Sequence, residues 1–172
     1  CWGQNDKRQL GDGTSTTRFT PVVVTGLAGA TSIAAGDKHS CATLPGHAAT
    51  CWGDNTYSQR GAGGGLPNAV TGLADADAIA GGFTFTCTRS AAGIARCWGL
   101  NDIGQLGVGS IGAEYRTTPV AVLALGNAVA IAVGNAHACA RTTAGGLACW
   151  GSNNNGQLGD GGTVARSTPA PV

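Results

Sequence analysis

Three times in this chain a cysteine is followed, after nine residues, by Cys-Trp-Gly: Cys41 to Cys51, Cys87 to Cys97 and Cys139 to Cys149. A fourth Cys-Trp-Gly starts at Cys1. A constant spacing of ten suits an antiparallel hairpin whose two cysteines face each other. Opposed residues there have Cα atoms about 4.5–5.5 Å apart, within reach of a disulfide. This register sets Ser90 opposite Ile94 around Ala91-Ala92-Gly93, and Thr142 opposite Gly146 around Thr143-Ala144-Gly145. A three-residue hairpin loop favours a last residue in the left-handed region, where glycine carries no steric penalty. In the first copy, Pro45-Gly46-His47, the glycine comes one place early, which predicts a different turn or a bulge.

Closing a loop of this size stabilises by about 2–3 kcal/mol in the chain-entropy model. The competing reading, three pairs of packed free thiols, leaves the threefold repetition of the spacing unexplained. Zinc is weaker still, because the chain has no Cys-x-x-Cys and the ligands would lie on opposed strands. Disulfides persist in oxidising compartments, so the chain reads as secreted, periplasmic or surface-displayed. The sequence has no signal peptide and no apolar run of about 18 residues that could span a membrane. It begins inside a repeat, so an export signal is expected upstream. A lipidated Cys1 is the alternative, but Cys1 is in phase with Cys51, Cys97 and Cys149.

Aligned on Cys-Trp-Gly, the chain divides into units 1–50, 51–96 and 97–148 and a partial unit 149–172, all within one domain. Repeats of this length belong to propeller blades and related arrays. Asn5, Asn55, Asn101 and Asn153 recur at one position of the unit, and Gln9, Gln59, Gln105 and Gln157 at another. Pro21, Pro67, Pro119 and Pro169 are each expected to begin a strand. Small-residue runs such as Ser32-Ile33-Ala34-Ala35-Gly36 and Ala130-Ile131-Ala132-Val133-Gly134 read as strands bounded by glycine, suited to a crowded axis. With the two cysteine strands, that makes four strands per unit, the blade of an all-β propeller.

Asn101-Asp102-Ile103-Gly104-Gln105-Leu106-Gly107 and Asn153-Asn154-Asn155-Gly156-Gln157-Leu158-Gly159, together with the Trp-Gly-x-Asn and Ala-Ala-Gly segments, resemble the regulator of chromosome condensation repeat family. The resemblance extends over nearly the whole chain and implies a seven-bladed ring, of which 172 residues would cover about three and a half blades. The expectation is therefore a piece of a longer chain, or a ring completed by another chain. Unit two departs most, since Tyr57-Ser58-Gln59-Arg60-Gly61 lacks the first glycine and the leucine, which predicts a locally altered blade edge.

Apolar residues make up 42% of the chain and charged residues 11%, as in a packed array rather than a disordered one. Four of the nine aromatics are Trp2, Trp52, Trp98 and Trp150. Each points away from its neighbouring cysteine, so packing between blades is their expected role. The formal net charge is +1, with no basic stripe of the kind nucleic-acid binding needs, and no membrane-insertion signal is present. His39 and His137 share a repeat position with Phe85, which marks it as a packing site. Asp37, His39 and Ser40 lie too close along one strand to act as a triad. The loops at Asp12 and Asp160 have too few oxygens for calcium, and turn chemistry accounts for them. Arg18, Arg116 and Arg166 each precede their proline by three residues and are expected to tie down their own loops.

These observations predict a non-enzymatic extracellular scaffold, with no cofactor or metal, that binds protein or surface carbohydrate through its inter-strand loops. A secreted enzyme inhibitor and a filament-forming surface protein are the alternatives. Loop length varies most between Val108 and Thr118 and between Ala62 and Leu66, and loops on a rigid scaffold carry function more often than strands do. Tyrosine and arginine are enriched at interface hot spots. Phe19, Tyr115 and Arg116 are therefore the candidate partner-binding residues.

Overall fold

The computed structural model describes residues 1–62 and 67–172. The 62–66 loop singled out by its length thus lies almost wholly outside the described residues. Among these, twelve strands form three four-stranded antiparallel sheets, each a blade. Blade one holds β1 (Ser32–Ala35), β2 (His39–Thr43), β3 (Ala49–Gly53) and β4 (Asn68–Ala69). Blade two holds β5 (Ala78–Gly81), β6 (Phe85–Arg89), β7 (Ala95–Leu100) and β8 (Tyr115–Ala121). Blade three holds β9 (Ala128–Val133), β10 (His137–Thr142), β11 (Leu147–Gly151) and β12 (Arg166–Pro171).

Residues before β1 form the outer part of a fourth blade. Gly3 and Arg18 exchange backbone hydrogen bonds, as do Cys1 and Val22. These pairings repeat Gly151 with Arg166 and Cys149 with Ala170 in blade three. The small-residue strands are innermost, and β5 touches both β1 and β9. Alanine and glycine allow that approach. The blades are offset from the sequence units, because the unit from Cys51 to Arg96 supplies β3 and β4 to one blade and β5 and β6 to the next. Every complete repeat therefore spans a joint between blades.

The cysteines pair as the spacing requires. Cys41–Cys51, Cys87–Cys97 and Cys139–Cys149 are disulfides with Cα atoms 4.1 Å apart, directly opposed in register. Cys1 is exposed and unbridged. Gly93 and Gly145 close their loops at φ 82° and 85°. In the first hairpin the loop keeps its length, with Leu44 and Ala48 hydrogen-bonded across it. Its turn differs as expected: Pro45 and Gly46 occupy the centre of a type II turn, and His47 takes the left-handed position at φ 64°.

One sequence expectation fails. Pro119 and Pro169 lie inside β8 and β12 rather than at their starts. Both strands are sheet edges, where a missing N–H costs no ladder bond. The blade edge of unit two is altered as expected, since β4 has two residues where β8 has seven and β12 six, whereas the turn before it keeps its shape. Ser58 adopts φ 61° where Gly104 has 82° and Gly156 has 71°, and the same hydrogen bonds close the turn. Arg60 replaces the buried leucine of the other units, yet its amide still donates to Asn55 Oδ1 at 2.9 Å.

Candidate partner-binding surface

His39 opens β2 opposite Gly53, which ends β3, so the β1–β2 turn and the loop after β3 lie at one end of the blade. The same holds in the other blades, and these segments together form one rim of the array. A single hydrogen-bonded frame holds its loops. Asn5, Asn101 and Asn153, all buried, accept the amides of Leu10, Leu106 and Leu158 at 3.0–3.1 Å. Their Nδ2 groups donate across the loop, to Thr14 O, Ser110 O and Gly162 O respectively. Each glutamine Oε1 caps the amide two residues before it, at 2.8–2.9 Å.

The glutamine main chain does a second job. Trp52, Trp98 and Trp150 donate Nε1–H to the carbonyls of Gln9, Gln59 and Gln105 at 2.9, 3.0 and 3.0 Å. Each tryptophan thus pins its unit to the preceding one. A buried indole N–H has to find an acceptor, and a loop carbonyl held in place supplies it. Two hydroxyls join the same carbonyls, Ser40 Oγ to Gln9 O at 2.8 Å and Thr86 Oγ1 to Gln59 O at 2.7 Å. Ala138 stands at the third equivalent position. The glycine after each tryptophan is also fixed: Gly99 has φ 104°, and a Cβ there would stand 2.4 Å from Thr84 O.

His39 belongs to the joint between blades one and two. Its Nε2 lies 2.8 Å from Thr86 Oγ1. Because that hydroxyl gives its proton to Gln59 O, the imidazole is the donor. Nδ1 is buried without a partner. Burial pushes the pKa down to about 4, a tendency that Asp54 opposes and Arg60 reinforces. Unfolded histidine titrates near 6.5, so between about 6.5 and 4 the unfolded chain binds the extra proton and the fold loses stability as pH falls. We expect a loss of about 2–3 kcal/mol from this residue between pH 7.5 and 4.5. His39→Phe, which installs the residue of blade two, should flatten the denaturation-midpoint-versus-pH curve by that amount. Parallel curves for the two proteins would refute the assignment.

The loop carboxylates are engaged internally. Thr14 donates both amide and hydroxyl to Asp12, and with Arg18 and Asn5 it holds the Asp12 carboxyl well below the usual range. The amide of Gly162, with Arg166 and Asn153, lowers the Asp160 carboxyl in the same direction. Arg18 and Arg166 tie down their own loops in this way, whereas Arg116 pairs with Glu114 at 3.3 Å.

The turn is shared by all four loops, with Asn55 sending its Nδ2 to Gly61 O at 3.4 Å instead of across the loop, and what the loops present differs. One tip position carries Lys7, Tyr57, Ile103 and Asn155, and the residue after the inner-strand glycine is Asp37, Phe83 or Asn135. Tyr57 is 40% exposed and Phe83 47%. They line one groove of about 250 Å³ together with Leu100, Asp102, Ile103 and Asn135. Backbone bonds brace it, Phe83 N to Asn135 O at 2.9 Å and Leu100 N to Thr84 O at 3.0 Å.

The three residues chosen from sequence are elsewhere. Phe19, 92% exposed, follows the bridged Arg18 in the partial blade, and Tyr115 and Arg116 open β8 in blade two. Blade one separates Phe19, in a bend after that bridge, from Tyr115 and Arg116 on the outer strand β8, so the three form no common surface. Part of the 108–118 segment is β8 itself. Sequence reasoning missed Tyr57 and Phe83. The available signal was their status as aromatics outside the Cys-Trp-Gly frame, at repeat positions with no fixed residue type.

Three bladed sheets locked joint by joint define a repeat propeller. Residues 1–43 and 97–141 match the Regulator of chromosome condensation (RCC1) repeat, and a second version of that repeat matches 30–59 and 128–157. The chain belongs to this repeat family. It is similar to a chain in the crystal structure of Kap60 bound to yeast RCC1 (Prp20), at 21% identity and TM-score 0.84, over 99% of this chain and 43% of that one. Prp20p from Saccharomyces cerevisiae, whose structure was described with its binding to Gsp1p and histones, matches at 19% identity and TM-score 0.81, over 99% and 45%. Human WBSCR16 matches at 18% and 0.75, over 99% and 47%. The chain therefore spans less than half the length of these solved relatives.

Proposed function

We propose that this chain is part of a non-enzymatic propeller scaffold that binds a protein partner on the rim formed by the loops after β3 and β7 and the β1–β2, β5–β6 and β9–β10 turns. One observation carries the reading. The same asparagine and glutamine oxygens accept backbone amides in every one of these loops and fix the turn, while the exposed tips differ in residue type from unit to unit. A rigid frame with varied tips lowers the ordering cost of binding and leaves specificity to a few side chains. Similarity to one protein described as bound to Kap60 and to one described with its binding to Gsp1p and histones supports protein over carbohydrate. Three disulfides support an oxidising location, such as the extracellular space, the periplasm or the cell surface. Among the described residues no helix is long and apolar enough to cross a membrane.

The test compares two alanine variants against the partner recovered with the native protein from its source. One replaces Tyr57, Phe83 and Asp102 on the rim, and the other replaces Leu147 and Thr143 at the opposite end of blade three. The rim variant should weaken binding at least tenfold at unchanged melting temperature, and the other should leave it intact. The reverse pattern would place the interface on the hairpin tips and end the proposal.

A further inference from the structure

We infer that the groove between Tyr57 and Phe83 is a receptor for an organic cation, the lysine or arginine side chain of a protein partner. The inference rests on the rim reading above and adds the chemistry of what the rim holds. Two aromatic rings from different blades, both about half exposed, line the groove. The negative face of an aromatic ring attracts a cation, and paired rings are the usual way to hold an alkylated ammonium or guanidinium group. Asp102 lines the same groove. Its Oδ1 accepts Gln105 Nε2–H at 2.8 Å, which orients the carboxylate and leaves lone pairs for a second donor. No lysine or arginine lines the groove, so its charge is that of one carboxylate.

Shape and rigidity agree with this occupant. About 250 Å³ falls just under the ~300–1,000 Å³ of pockets that enclose whole drug-sized ligands, and it suits one long side chain. Leu100 and Ile103 provide an apolar wall for its methylene stem, and Asn135 adds a neutral polar group to the lining. The backbone bonds of Phe83 and Leu100, and the Gln105 cap on the Ile103 amide, fix the walls before binding. An anion would meet Asp102, and a metal ion would find a single carboxylate where it needs several oxygens.

The test titrates N-acetyl-lysine methylamide and N-acetyl-arginine methylamide into the native protein, with N-acetyl-norleucine methylamide and N-acetyl-glutamate methylamide as neutral and anionic controls. The readout is the Ile103 methyl and the Tyr57 and Phe83 ring resonances. The cationic probes should shift all three, and added salt should weaken them. Phe83→Leu and Tyr57→Leu should each weaken binding about two- to fivefold, the range of an exposed cation–π contact. Asp102→Asn, which can still accept from Gln105, should weaken it at least as much. Equal binding of the norleucine probe, preference for the glutamate probe, or indifference to Asp102→Asn would each overturn the inference. If the rim variant loses its partner while the cationic probes fail to bind, the rim reading stands and this inference falls. If the probes bind while the rim variant keeps its partner, the groove takes cations but no partner side chain, and both readings fall.

Discussion

Trp98→Ala is expected to destabilise the fold by about 3–5 kcal/mol, the range for emptying a buried aromatic site. The indole is fully buried and packs with Cys51, Val70, Leu73 and Ile79, side chains of both blades it joins. The cavity would open at a joint, where two sheets must separate before either can close it. Phenylalanine substitutions isolate the hydrogen bond from the volume. In Trp98→Phe the Gln59 carbonyl keeps the Thr86 hydroxyl at 2.7 Å. In Trp150→Phe the Gln105 carbonyl loses its indole donor, and Ala138 has no hydroxyl to replace it. A buried acceptor left unpaired costs about 1–3 kcal/mol, so Trp150→Phe should be the more damaging of the two. Guanidinium unfolding of the three variants tests both statements. Trp98→Ala within about 1 kcal/mol of the parent would remove tryptophan as the pin between blades, and the opposite order for the two phenylalanine variants would remove the account of Ala138.

Much of this architecture was legible because it depends on side-chain type at fixed spacing. Cysteines ten apart determine a register, Gly93 and Gly145 determine where the hairpin loop closes, and alanine-rich runs mark the strands that approach one another. The illegible parts depend on backbone atoms or on convergence. A glutamine carbonyl leaves no trace in composition, so the indole acceptor could not be read, although Trp and Gln recur in phase. Ser58 reaches the left-handed region because the frame around Asn55 and Gln59 imposes it, overriding the weak preference for glycine. Pro119 marked a strand but not its start, since sequence does not reveal which strand is an edge. The groove was hidden for another reason. Tyr57, Phe83, Asp102 and Asn135 come from three blades, and only the stacking of blades brings them together. Phe19 and Tyr115 were chosen for residue type, which carries no information about the blade a residue belongs to.

Reducing all three disulfides is expected to remove about 8 kcal/mol of stability, roughly 2.7 kcal/mol for each ten-residue closure. The closures are separate, one per blade, and each lies entirely within its own hairpin, so their effects should be close to additive. That total is comparable with the ~5–15 kcal/mol net stability of a typical domain. An array with few aromatics and small inner side chains has little apolar burial to offset the loss. The paired variant Cys87→Ala with Cys97→Ala should therefore cost about 3 kcal/mol by itself and lower the midpoint of denaturant unfolding without changing the hairpin register. Full reduction should unfold the array near room temperature. Circular dichroism during dithiothreitol titration, with mass spectrometry of alkylated thiols, follows both. If the β signal survives complete reduction, the bridges are dispensable to the blades. An oxidising compartment would then be no energetic requirement of the fold.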